Sequence, residues 1–193
     1  MGATGKTILQ ALPWFTQMLD YTDQVCAGVT EETGGLKPTD PKGGYFFSVK
    51  ELLLHIADSR WQCLTWLVGG EEERLFNEEH FLEEYGGPDK QWKFRQATVA
   101  EAQACLKAVR QRLEVYLDKP EATMLEPTDA LLAAHEAFIK RLREAGKDTA
   151  KFEAGGPGNI VNALLFLAAH EQAHRATLQM ILRVHGHDVF RVA

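Results

Sequence analysis

Apolar residues in this chain recur at intervals of three and four, and five Gly-Gly pairs break the pattern into segments: Gly34-Gly35, Gly43-Gly44, Gly69-Gly70, Gly86-Gly87 and Gly155-Gly156. A spacing of three and four lays apolar groups along one side of an α-helix, whereas a half-buried strand requires alternation at two. β-branched alternating runs are scarce, so the chain is expected to be all-α. Its 193 residues, 45% apolar and 25% charged, suit one domain over 1–193 with a sizeable core.

The segments can be placed by their end signals. A first helix is expected over about Thr7 to Val29, with Ile8, Leu12, Phe15 and Leu19 on one stripe and either a start or a kink at Pro13. A Gly/Pro-rich loop follows from Thr30 to Phe47. Ser48 and Glu51 form a capping box that opens a second helix reaching about Val68, and Thr98 with Glu101 repeats the signature for a third helix to about Leu117. Almost thirty residues, Gly69 to Ala97, separate these two helices, long enough for a crossover that leaves them parallel. A further helix is expected over Thr128 to Glu144. Asn159 caps the last one, Ile160 to about His185, with Gly186 suited to end it.

Several functions are excluded at this level. The net charge is −6 with both signs interspersed, so the basic footprint for nucleic acid is missing. No apolar run approaches the length of a membrane span, and nothing reads as a secretory signal. Three widely spaced cysteines, Cys26, Cys63 and Cys105, suit a reducing cytoplasm better than a disulfide framework. Gly5-Lys6-Thr7 has no preceding strand and lacks the earlier glycine of a P-loop.

Chemistry gathers on the last helix. Ile160, Ala163, Leu164, Leu167, His170, His174, Leu178 and Ile181 step by three and four, which puts both histidines on the inward stripe. Two histidines four apart project in the same direction and can share one ion. Without such a shared ligand, two imidazoles in an apolar seam leave hydrogen bonds unmet. His55 lies on the face of Leu52, Ile56 and Ser59 in the second helix. Three imidazoles from two helices would hold a divalent ion and leave coordination positions open, as catalytic sites do. His170-Glu-Gln-Ala-His174 also spells the zincin protease pattern H-E-x-x-H, with Glu171 as general base. That reading is the weaker one, because no glutamate follows His174 and Met180 stands where the extended motif places a third histidine.

Glu171, about 100° around the helix from His170, is either a general base or partner near the ion, or an exposed or interhelical carboxylate. Asp58 and Arg175 have similar alternatives, orienting an imidazole or meeting an anionic substrate on one side, surface or helix-pairing roles on the other. Trp61 and Trp66 are weak candidates for a pocket wall, and Trp14 and Trp92 read as core. His80 and His135 have no partner at ligand spacing.

The segments Leu53-Leu54-His55-Ile56-Ala57-Asp58 and Ala169-His170-Glu171-Gln172-Ala173-His174-Arg175, with the closing run Ile181 to Val189, resemble the DinB/YfiT-like superfamily of metalloenzymes. The resemblance implies a four-helix bundle with an up-down-down-up path, a zinc- or nickel-type divalent site at one end, and a homodimer. It implies small-molecule chemistry: some relatives are thiol S-transferases that use low-molecular-weight thiols, and others resemble a mycothiol-dependent isomerase. A divalent ion lowers the pKa of the water or thiol it binds, which suits either transfer or hydrolysis. A non-catalytic dimeric bundle with a structural ion is the alternative from another class.

Overall fold

The computed structural model describes residues 5–38, 47–68 and 97–188, and within them eight α-helices, one 3₁₀ turn and no strand. The helices are α1 (Ile8–Ala11), α2 (Pro13–Ala27), α3 (Glu31–Gly34), α4 (Val49–Val68), α5 (Val99–Leu117), α6 (Asp129–Glu144), α7 (Ala150–Gly155) and α8 (Ile160–Val184). The long connection between the second and third expected helices, with His80 and Trp92, lies outside the described residues, as do the Gly43, Gly69 and Gly86 pairs.

Most helix ends are where the capping chemistry puts them. The Ser48 amide donates to Glu51 at 2.6 Å, and the Glu51 amide donates back to the Ser48 hydroxyl at 3.2 Å. Thr98 with Glu101 and Asn159 with Asn162 close the same reciprocal box ahead of α5 and α8, each satisfying two amides that the first turn leaves open. Gly186 follows α8 with φ +79°, a conformation other residues adopt at a cost.

Pro13 does start a helix, one of the two alternatives the sequence offered, and three short turns were not expected. The first helix is two: Leu12 leaves helical geometry at φ −120° and ψ 61°, and Pro13 begins α2 at its first position, where its missing N–H costs nothing. Within the expected Thr30–Phe47 loop, Thr30 and Thr33 cap the single turn of α3. The 3₁₀ turn Glu121–Thr123 and the short α7 were not anticipated either.

Helices α2, α4, α5 and α8 pack around one core, and α6 lies against α4. Their relative directions follow from what touches. His55 of α4 meets His174 of α8, while Cys63 Sγ further along α4 lies 3.8 Å from the Ala163 carbonyl oxygen; the two helices are antiparallel. Arg110 reaches Asp20 while the earlier Gln103 donates to the later Cys26 carbonyl, so α5 opposes α2. Helices α4 and α5 begin together at Gly34, where an added Cβ would meet Val99 Cγ2 at 2.5 Å and Lys50 Cβ at 3.6 Å. They end together where the Tyr116 hydroxyl donates to the Leu67 carbonyl at 2.8 Å.

Helix α4 is the central element. Every residue from Glu51 through Ala57 is buried, as expected of a helix with neighbours on several sides. Polar groups on it must therefore find partners within the protein, and two of them, His55 and Arg60, do so on α8. None of the described helices is long and apolar enough to cross a membrane.

Candidate metal centre

The capping box at Ser48 fixes the start of α4, which carries His55 two turns into the bundle at 6% exposure. Asn159 fixes the start of α8, which carries His170 and His174 one turn apart, both half-buried. The antiparallel crossing brings the three rings together. His55 Nε2 lies 3.2 Å from His174 Nε2, and His174 Nε2 lies 3.1 Å from His170 Nε2. Ring centroids are 4.4, 4.3 and 5.0 Å apart for the pairs 55–174, 170–174 and 55–170.

Protons satisfy this arrangement poorly, at best by one N–H shared between two acceptors. A ring nitrogen presents, in the plane of its ring, either one N–H or one lone pair. His174 Nε2 can therefore be donor or acceptor toward its two neighbours but not donor to one and acceptor from the other. A cation among the three lone pairs removes the conflict. With Zn–N bonds of about 2.0–2.1 Å, two ligand nitrogens lie about 3.4 Å apart at a tetrahedral angle and about 2.9 Å apart at a right angle. The observed 3.1 and 3.2 Å fall between these limits. Among the described residues, these histidines form a group able to hold a metal ion, with candidate ligand atoms all within 4.8 Å of one another.

The electrostatics agree. Burial pulls His55 down to about 3, with the neighbouring histidines adding to the effect. Burial and His170 bring His174 to about 4. His170 is lowered by burial, against the pull of Glu171. All three are neutral imidazoles at pH 7, the protonation state in which histidine binds metal. The buried Nδ1 of His170 has no hydrogen-bond partner, so no contact on that side fixes its tautomer.

The family model of the DinB superfamily matches residues 15–178. This chain belongs to the DinB superfamily. No curated protein and no solved structure matches it. The matched span contains all three histidines.

In this DinB-superfamily protein the remaining candidates are placed as follows. Glu171 is completely buried, and both of its carboxylate oxygens are taken by Arg60: Nε donates at 2.6 Å and the second terminal nitrogen at 3.0 Å. Of its sequence readings, the geometry is that of the interhelical carboxylate. Arg175 also faces a neighbouring helix, donating to the Thr22 hydroxyl at 3.0 Å and lying 4.2 Å over the Tyr21 ring. Asp58 is partly buried on α4. Trp61 is buried beneath Arg112, whose guanidinium carbon is 5.9 Å from the ring centre; Trp66 belongs to α4, and nothing further is described of its side chain. Trp14 is not core: at 38% exposure it lines an open groove between α2 and α8 with Tyr21 and Leu165. His185 Nε2 lies 2.9 Å from the Lys37 carbonyl oxygen, away from the triad.

Arg60, which the sequence reading passed over, is the largest fully buried side chain among the described residues. Besides Glu171 it donates to Asp23 at 2.7 Å, and Asp23 also accepts from Arg110 at 3.1 Å. The signal was a lone charge on an apolar stripe, Ile56, Ala57, Arg60, Cys63, Leu64 and Leu67. Two aromatic rings also border the histidines: Phe47 stacks on His55 at 5.0 Å and Phe166 on His170 at 6.1 Å between ring centres.

Proposed function

We propose that this protein is a divalent-metal enzyme in which His55, His170 and His174 hold one zinc or nickel ion, and that it acts on a small molecule by transfer or hydrolysis. The convergence of three neutral imidazoles, with candidate ligand atoms within 4.8 Å of one another, carries this reading. Once bound, the ion would lower the pKa of a water or thiol ligand toward neutrality. The chain's own residues bind it through three nitrogens, hold those nitrogens deprotonated by burial, and leave the remaining positions to solvent or substrate. His170 and His174 are only half-buried, which suits an accessible ion better than a closed structural one.

Any thiol in the reaction would have to come from a co-substrate. The cysteines are all free, and burial pushes Cys26 and Cys63 up to about 12 and Cys105 to about 11. None offers appreciable thiolate at neutral pH. A low-molecular-weight thiol is thus the proposed nucleophile in the transfer reaction. A homodimer and a cytoplasmic location belong to the same proposal. The zincin reading fares poorly, because a general base needs a free oxygen near the ion and both oxygens of Glu171 are committed to Arg60.

Elemental mass spectrometry of the tag-free protein and of His55→Ala tests the reading. The expected result is one ion per chain in the wild type and loss in the variant, followed by turnover in a screen of thiols against small electrophiles. Absence of metal after reconstitution with zinc or nickel would overturn the proposal. A bound ion without turnover would leave the non-catalytic bundle standing.

A further inference from the structure

We propose that Arg60 and Glu171 are positioning residues for the metal site: their buried, two-pronged ion pair sets the register of α4 against α8 and so holds His55 Nε2 at coordinating separation from the two imidazoles of α8. The inference rests on the metal-binding reading above and adds a cause for its geometry.

The same two helices are joined twice within a short distance. Helix α4 supplies His55 and Arg60, and α8 supplies His170, His174 and Glu171. A lone hydrogen bond tolerates some sliding and rotation. A planar guanidinium held at 2.6 and 3.0 Å by two oxygens of one carboxylate does not, because both bonds are directional and their planes must coincide. Slippage by one residue moves a helix about 1.5 Å along its axis, enough to break the pair. The same movement would open the 3.2 Å separation between His55 Nε2 of α4 and His174 Nε2 of α8, whereas metal–ligand distances are held to within about 0.2 Å.

The pair does not stand alone. From Glu171 on α8 the chain of contacts runs through Arg60 on α4 and Asp23 on α2 to Arg110 on α5, so one alternating sequence of charges touches all four helices of the bundle. Arg110 is further held by Asp20 at 2.8 Å and Glu114 at 2.7 Å. Such a network is not needed for stability, since well-packed apolar residues of similar volume often serve as well or better. What apolar residues lack is a unique register. Next to a site that fails when displaced by a fraction of an ångström, register is the property at a premium.

The test compares the wild type with Arg60→Lys, Glu171→Gln and the double variant Arg60→Met/Glu171→Leu. Arg60→Lys keeps the charge and removes the fork, Glu171→Gln keeps the shape and loses one acceptor, and the double variant removes both charges together. Thermal unfolding of the metal-free proteins reports stability, chelator competition reports zinc affinity, and the visible spectrum of the cobalt(II)-loaded proteins reports ligand geometry. The expected outcome is a loss of zinc affinity of about 10–100-fold with altered cobalt bands in variants that still unfold cooperatively. A merely structural role would lower the unfolding temperature and leave the spectrum of the folded protein unchanged. If the double variant does not fold, Arg60→Lys and Glu171→Gln decide.

Wild-type affinity and an unchanged cobalt spectrum in the folded variants would overturn the inference while leaving the metal site intact. Failure of the wild type to bind zinc or cobalt would instead remove the metal-binding reading. A zincin predicts the opposite for Glu171→Gln: full metal binding with peptide cleavage abolished.

Discussion

Helices α4 and α8 share two polar clusters built from neighbouring residues, and the clusters differ in completeness. Arg60 and Glu171 are charged, wholly buried and fully engaged with each other. The histidine triad is uncharged, half-open and brings three Nε2 atoms to one point. Buried polar groups in folded proteins are nearly always satisfied, and a cluster that protons satisfy poorly is what the proposed metal site would explain. On the proposed reading, the complete cluster is the frame and the incomplete one is the site. A reading by motif alone would join them, because Glu171 lies between the two histidines in H-E-x-x-H.

The largest effect should come from breaking the complete cluster on one side. Arg60→Met leaves the Glu171 carboxylate buried and uncompensated, and it also takes one partner from Asp23. Loss of one member of a buried pair costs about 3–5 kcal/mol. Urea unfolding of the metal-free variant should show that loss, and the Glu171→Leu companion change should recover much of it. If Arg60→Met alone were as stable as the wild type, Glu171 would have another means of support and the frame would be misassigned.

A smaller effect separates the clusters by acid. His55 and His174 titrate near 3 and 4 in the folded protein, and His170 is also lowered, against an ordinary value of 6.5. Between these limits the unfolded chain binds more protons than the folded one, so stability rises with pH. The contribution is complete above pH 6.5 and drains away as the pH falls toward 4. Unfolding midpoints of the chelator-treated protein should therefore drop between pH 7.5 and pH 5. His55→Ala should flatten the drop, since the ring that burial lowers furthest, to about 3, no longer titrates. Equal slopes in both proteins would show that His55 is not held neutral by burial.

How far the sequence disclosed this arrangement depends on the length over which each signal repeats. Helices α4, α5, α6 and α8 span 16 to 25 residues, long enough for periodicity and caps to agree, and the all-α architecture follows from them. Helices α1, α3 and α7 have four to six residues, about one turn, in which no period can be counted. The histidines were legible because ligand spacing on a helix is local. Arg60 was not, since a charge on an apolar stripe has meaning only once its partner, 111 residues away, is in place. Glu171 was obscured by centring the buried stripe of α8 on the histidines. The stripe runs through Leu167, Glu171 and Leu178, all at 1% exposure or less, and the histidines sit at its edge. That offset leaves them half-open.

The smallest effect calibrates the rest. Arg143 of α6 donates to Glu153 of α7 at 2.9 Å, a distance comparable to the bonds between Arg60 and Glu171. Here the side chains are 64% and 42% exposed. In water the attraction is screened and offset by the entropy of holding two long side chains still, so exposed pairs contribute little. Arg143→Ala should leave both the unfolding midpoint and zinc affinity where they are in the wild type. Similar hydrogen-bond lengths would then give opposite outcomes in two pairs of the same protein, with burial as the variable between them. Should Arg143→Ala destabilise the protein as much as Arg60→Met, the distinction between frame and surface would collapse, and the register argument for the metal site would lose its physical basis.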